Sequence, residues 1–107
     1  MKKGDIILIP FPFTDLSGQK KRPALVLIAT STDVTVAFIT SQLLWQAEHD
    51  LNLEPTSDNG LKKSSLVRLS KLATIDLELV IGRLGSLSNA GIQELNKNLI
   101  QLLQLNH

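Results

Sequence analysis

RPALVLIATSTDVTVAFIT, residues 22–40, is the stretch that decides the fold. Pro23 to Ile28 is an unbroken apolar run of strand length, as expected of a buried central strand. Val34 to Ile39 is β-branched and aromatic, which favours a second strand. Ser31 to Asp33 between them is a turn, so the two runs are expected to pair as a hairpin. Upstream, Ile6 to Ile9 reads as a strand stopped by Pro10. Residues 10–22 hold two prolines with Thr14, Asp15, Ser17 and Gly18, a loop long enough to suggest function. Downstream, Ser41 to Glu48 has no clean period and reads as a loop. His49 to Glu54 alternates, with Leu51 and Leu53 on one face, and reads as a half-buried strand. Pro55 to Lys63 is a turn cluster around Ser57, Asp58, Asn59 and Gly60. Ser65 to Leu69 is a short strand, Thr74 to Val80 a helical turn, and Ile81 to Leu87 a last strand weakened by Gly82 and Gly85.

The C-terminal segment is the clearest helix. Ser88 suits its N-cap. Ile92, Leu95, Leu99, Leu102 and Leu103 recur at helical spacing on one face, while Ile100 and Leu105 fall off that stripe. Many short strands followed by one amphipathic helix imply a mainly β, α+β fold: a small, strongly bent sheet or barrel with a helix packed on it. The 107 residues fit a single domain, 1–107. A hydrophobic content of 43% is enough for a core and too high for a disordered chain. No apolar run is long enough to span a bilayer as a helix, and the N-terminus lacks the features of a signal peptide. With no cysteine, a disulfide framework and thiolate metal sites are excluded, and a cytoplasmic location is expected.

The chemistry the residues allow is limited. The two histidines are His49 and His107, the latter the last residue. A two-histidine acid–base pair or a histidine metal site is therefore poorly supported. The acids are scattered without a paired pattern, and no phosphate-binding glycine motif is present. No cofactor and no metal are expected. The net charge of +1 is small for a nucleic-acid binder, but the basic residues are grouped. Lys20, Lys21 and Arg22 form one cluster, and Lys62, Lys63, Arg68 and Lys71 a second. Arg22 stands before Pro23, which biases it towards an extended backbone, and its planar fork suits a phosphate. The plain alternative is a solvated arginine at a strand entry. Thr40 and Ser41 close the adjacent strand; if the hairpin forms, they share a sheet end with Arg22 and could donate to the same phosphate. Alternatively, they are simply a strand-end turn. Phe11 and Phe13 flank Pro12 and could stack on bases, or fold back on the core. Trp45 has the same two readings, and could instead anchor a partner.

GDIILIPFPFTDLSGQKKRPALVL, residues 4–27, resembles the N-terminal signature of PemK/MazF-like toxins: Gly-Asp before a strand, a proline-bearing loop, then Arg-Pro opening an apolar strand. FITSQL (residues 38–43), LKKSSLVRLSKLATID (61–76) and GRLGSLS (82–88) before a terminal helix resemble the family's later blocks. The resemblance implies an SH3-like barrel with a C-terminal helix, usually a homodimer, acting as the toxin of a type II toxin–antitoxin system. It also implies a metal-independent endoribonuclease that cuts single-stranded RNA to a 2′,3′-cyclic phosphate and a 5′-hydroxyl and is restrained by a cognate antitoxin. Carried over by position, the catalytic pair is Arg22 and Thr40. Phe13, Asp15, Lys20, Lys21 and Ser41 are expected to contact substrate. The loop 10–22 lacks the glutamate that some members use on RNA, and Asp15 is the acid present for that role. Two other readings are a CcdB-like gyrase poison on the same fold and a barrel that only binds a partner. The Arg22-Pro23 pair with Thr40 favours cleavage, because the gyrase poisons rely on C-terminal residues.

Overall fold

The computed structural model describes residues 1–11 and 20–105. In chain order these form β1 (Asp5–Phe11), β2 (Lys20–Ala29), β3 (Asp33–Thr40), β4 (Leu51–Leu53), β5 (Ser65–Asp76), β6 (Gly82–Ser86) and α1 (Asn89–Leu103), with a 3-10 turn at Leu77–Leu79 before β6. The six strands make one antiparallel sheet in the order β4-β5-β3-β2-β1-β6. The expected hairpin is its centre: Ala24 pairs with Phe38 and Ala29 with Val34. Thr30 closes the turn, its N–H donating to the Asp33 carbonyl at 2.9 Å and its Oγ1 accepting from the Asp33 N–H at 3.0 Å.

Both faces of this sheet are apolar, as the unbroken run in β2 requires. Ile6, Leu25, Ala37, Ile39, Val67 and Leu69 face α1, and meet Leu95 with Ile92, Leu99 and Leu102 packed around it. Ile7, Ile9, Ala24, Val26, Val34, Val36 and Ile75 form a second core on the other face, covered by Phe38, Leu77, Leu79 and Val80. One helix covers one face; the other is buried because the sheet curls. Bulges produce the curl. Leu27 is an extra residue in β2 between the pairs Val26–Val36 and Ile28–Thr35. In β5, Leu69, Ser70 and Lys71 are inserted between the partners of Phe38 and Ala37. An odd insertion reverses which face the following residues take. Thus Val67 and Leu69 lie in the helix-side core and Ile75 in the other.

The result is a curled half-barrel with one C-terminal helix. Its edge strands, β4 and β6, do not pair. The turn between β4 and β5 joins them instead: the Ser86 N–H donates to the Asp58 carbonyl at 2.8 Å. A Cβ on Gly85 would stand 2.1 Å from that same carbonyl, so glycine is what lets the two backbones meet. The Gly4-Asp5 pair is also structural. Gly4 has φ +94 and lies under Ile92, and Asp5 is buried against Arg83 with 3.4 Å between Nε and Oδ1.

Four expectations need correction. β1 does not stop at Pro10 but runs on to Phe11. Pro10 pairs with Lys21 beyond the last β1–β6 pair, Leu8–Gly82, where the missing N–H costs no second ladder. β5 runs to Asp76, so residues 74–76 are strand and only Leu77–Leu79 forms a helical turn. β2 begins at Lys20, which puts Arg22 inside a strand rather than at its mouth. Leu103 is 52% exposed and does not belong to the buried stripe. Ser88 caps α1 as expected, its Oγ accepting from the Gly91 N–H at 3.1 Å.

The two ends of the stripe therefore separate in stability. Leu95→Ala is expected to cost roughly 2–5 kcal/mol by opening a cavity under the helix, and Leu103→Ala to stay within about 0.5 kcal/mol. Chemical denaturation of both variants checks this, and equal losses would contradict the helix orientation.

Candidate functional site

Strand register builds the site. Ile9 pairs with Arg22 across β1 and β2, and Thr40 pairs with Leu66 across β3 and β5. The β2–β3 ladder ends at Ala24–Phe38, and Arg22 and Thr40 each lie two residues beyond that pair. The two residues therefore lie at the same end of the sheet, as the hairpin reading anticipates.

Arg22 and Thr40 border a groove of about 740 Å³ at the sheet end. Arg22, Thr40 and Ser41 all line it, with Phe11, Pro23 and Phe38 from the strands and residues 60–63 from the turn before β5. Apolar Leu8, Ile9, Ile39, Leu61 and Leu84 make up much of the remaining surface. Arg22 is exposed and forms no ion pair with another described residue, which leaves its donors available to an anion. Its backbone is held by the β1 ladder while its head stays in solvent. The Thr40 Oγ1 accepts from the Gln42 N–H at 3.0 Å, so the turn reading is correct as far as it goes. The bond uses a lone pair only, and the hydroxyl hydrogen can still be donated. The Gln42 side chain is occupied locally, Oε1 accepting from the Leu44 N–H at 3.2 Å.

The other sequence candidates fall elsewhere. Lys20 and Lys21 are exposed on β2 but are not among the residues lining the groove. Phe13 and Asp15 lie outside the described residues. Phe11 lines the groove and is 44% exposed, whereas Phe38 packs on the second core as well as bordering the groove. Trp45 is 78% exposed in the β3–β4 loop. Sequence reasoning did not pick out Gln42, Lys62 and Lys63. The two lysines were visible as part of a basic stretch, but nothing in the sequence separated them from Arg68. That arginine is instead taken up by structure, its Nε 2.9 Å from Oδ2 of buried Asp50. Among the described residues no group of three or more His, Cys, Asp or Glu side chains is placed to hold a metal ion.

The fold recurs among solved structures. Mycobacterium tuberculosis toxin MazF-mt6 superposes with a TM-score of 0.78 at 22% identity, over 96% of this chain and 99% of that one. An endoribonuclease from a mycobacterial species, in complex with its cognate antitoxin, gives 0.76 at 18% identity, over 100% and 98% of the two chains. An M. tuberculosis toxin at 25% identity gives 0.65 over 75% of this chain and 90% of that one. No curated protein sequence matches significantly. The family model of the "PemK-like, MazF-like toxin of type II toxin-antitoxin system" matches residues 2–103. With that match running through every strand and the helix, the chain belongs to the PemK-like, MazF-like toxins of type II toxin–antitoxin systems.

Proposed function

We propose that this toxin is an endoribonuclease that cuts single-stranded RNA in the groove, with Arg22 and Thr40 acting on the scissile phosphate. The observation that supports the reading is that Arg22 and Thr40 line one groove, Arg22 in no ion pair with another described residue and Thr40 with a hydroxyl hydrogen to donate. The 2′-hydroxyl of the RNA is an internal nucleophile. Its oxygen forms a bond to phosphorus, the bond from phosphorus to the 5′-oxygen breaks, and the 2′-hydroxyl proton ends on that leaving oxygen. The products are a 2′,3′-cyclic phosphate and a 5′-hydroxyl. The protein has to orient the phosphate in line and stabilise charge on its oxygens. A guanidinium fork beside a hydroxyl suits both tasks. Exposed Phe11 is available for a flanking base to stack on. Among the described residues no comparable arrangement supports the gyrase-poison or binding-only alternatives.

The family and the antitoxin-bound mycobacterial relative support a cognate antitoxin as partner. An acidic, disordered antitoxin segment folding near Lys20, Lys21 and Arg22 would match the charge there. We propose a cytoplasmic location, where messenger RNA would be met; no helix among the described residues is long and apolar enough to cross a membrane. We further propose a homodimer. Leu44, Trp45, Ile100 and Leu105 are large, exposed and apolar, and a contact covering some of them would remove that area from water.

These outcomes are expected. Arg22→Ala lowers cleavage of a long single-stranded RNA by about 10²–10³-fold, the scale of losing an oxyanion-stabilising donor, without lowering the melting temperature. Thr40→Val costs less, roughly 1.5–3 kcal/mol for one bond to a charged group. Full cleavage by folded Arg22→Ala refutes the assignment. Cleavage persists in EDTA; loss there with recovery on adding magnesium would demand another mechanism. Light scattering at micromolar concentration gives twice the chain mass, and a monomer mass would exclude the dimer.

A further inference from the structure

The groove carries charge that the arginine–threonine pair does not account for. Lys62 and Lys63 line it together with Arg22. Both are exposed, and neither forms an ion pair with a described residue. The antiparallel order explains the meeting: β5 begins at the end of the sheet where β3 finishes, so the residues just before Ser65 arrive beside Thr40.

Their backbone is held on both sides. The Oδ1 of buried Asn59 accepts from the N–H groups of Leu61 and Thr56, each at 3.0 Å, and its Nδ2 donates to the Glu54 carbonyl at 2.9 Å. Gly60 adopts φ +70 against the Leu84 carbonyl, where a Cβ would come within 2.3 Å. Leu61 is buried in the helix-side core. On the far side, the Ser65 Oγ donates to the Lys63 carbonyl at 2.8 Å. Of the nearby acids, Glu54 accepts from the Ser64 Oγ at 2.6 Å and Asp50 is paired with Arg68, while Asp58 is exposed and forms no ion pair with a described residue. Two ammonium groups are thus carried on a pinned backbone into a groove with much apolar surface. Like charges so placed repel, and a bound anion would relieve the repulsion.

We propose that Lys62 and Lys63 form a second phosphate subsite, which takes a phosphate of the same RNA strand neighbouring the one held by Arg22 and Thr40. The proposal rests on the RNA-cleaving reading. It also divides the work by side-chain chemistry. The planar arginine fork fixes the orientation of the phosphate that reacts, while a lysine is a point charge on a flexible stem and holds a phosphate without dictating its orientation. A phosphate that does not react is bound equally well before and during the reaction. The subsite therefore lowers KM and leaves kcat unchanged.

The test uses an oligoribonucleotide spanning a cleavage site mapped on a long RNA, the wild-type protein and the Lys62→Ala/Lys63→Ala variant. Each phosphate contact on a single strand contributes a salt dependence of about 0.7 in log–log slope, which corresponds to about fivefold in affinity between 0.1 M and 1 M salt. The variant should raise KM about fivefold at 0.1 M salt for one lost contact, with kcat unchanged and the gap closing towards 1 M. Lys97→Ala, on the exposed side of α1, should change neither constant. An uncharged methylphosphonate at one linkage beside the scissile one should raise the wild-type KM by the same factor and leave the variant unaffected. An unchanged KM, or a methylphosphonate penalty that persists in full in the variant at every linkage, overturns the subsite while cleavage itself stands. A wild-type protein that cuts no RNA removes the cleaving reading and the subsite together. If the variant keeps its RNA KM but binds an acidic antitoxin peptide more weakly, the lysines serve the protein partner and the proposal is wrong.

Discussion

A sheet with two apolar faces and one helix cannot stay flat. β1, β2 and β3 send large aliphatic side chains to both sides, and α1 can cover only one of them. Burying the second face requires the sheet to fold over itself. Each fully buried Val, Leu or Ile contributes on the order of 1.5–3 kcal/mol, so leaving that face in water would be ruinous for a domain this small. The bulge at Leu27 and the insertion of Leu69, Ser70 and Lys71 provide the bend. They change the strand direction and also reverse the alternation, so that one long strand serves both cores.

The groove follows from that bend. When the sheet curls, the ends of β1, β2 and β3 come up against the turn leading into β5. Charged and hydroxyl groups there surround a partly apolar hollow. The turn is held close by the contact of Gly85 with the Asp58 carbonyl and of Gly60 with Leu84. The same packing that joins the two sheet edges thus also brings the Lys62–Lys63 segment to the site. Stability and site geometry share their parts here, although the side chains suited to substrate remain exposed.

Within the site, firmness and freedom are separated. Arg22 and Thr40 sit in ladders, where cross-strand bonding limits backbone movement, and their polar heads are free of other described side chains. Arg68 shows the contrasting use of a cation. It lies in the same basic stretch as Lys62 and Lys63, but buried Asp50 faces it, and the ion pair anchors the end of the β3–β4 loop, where the Asp50 carboxylate also accepts from the Ala47 N–H at 2.8 Å. A buried carboxylate needs such partners, and this requirement commits Arg68 to structure.

The strand alternation, the turn at 31–33, the Ser88 cap and the helix stripe of buried Leu95 with half-buried Ile92, Leu99 and Leu102 were legible in the sequence, because periodicity and capping are local properties. So was the proximity of Arg22 to Thr40, since a tight turn leaves a hairpin few registers to choose from. Other features depended on contacts distant in the chain. Pro10 continues a strand because β6 has already ended beside it. Leu103 is exposed although its neighbour Leu102 packs on the helix-side core. β5 crosses from one core to the other through a bulge that no local pattern announces. Arg68 and Lys62 look alike along the chain, and only folding decides that one meets Asp50 and the other lines the groove. Sequence alone determined which side chains are apolar, charged or able to donate. Tertiary structure decided which of the charged ones are left without a partner, because pairing depends on distance in space and not on position in the chain.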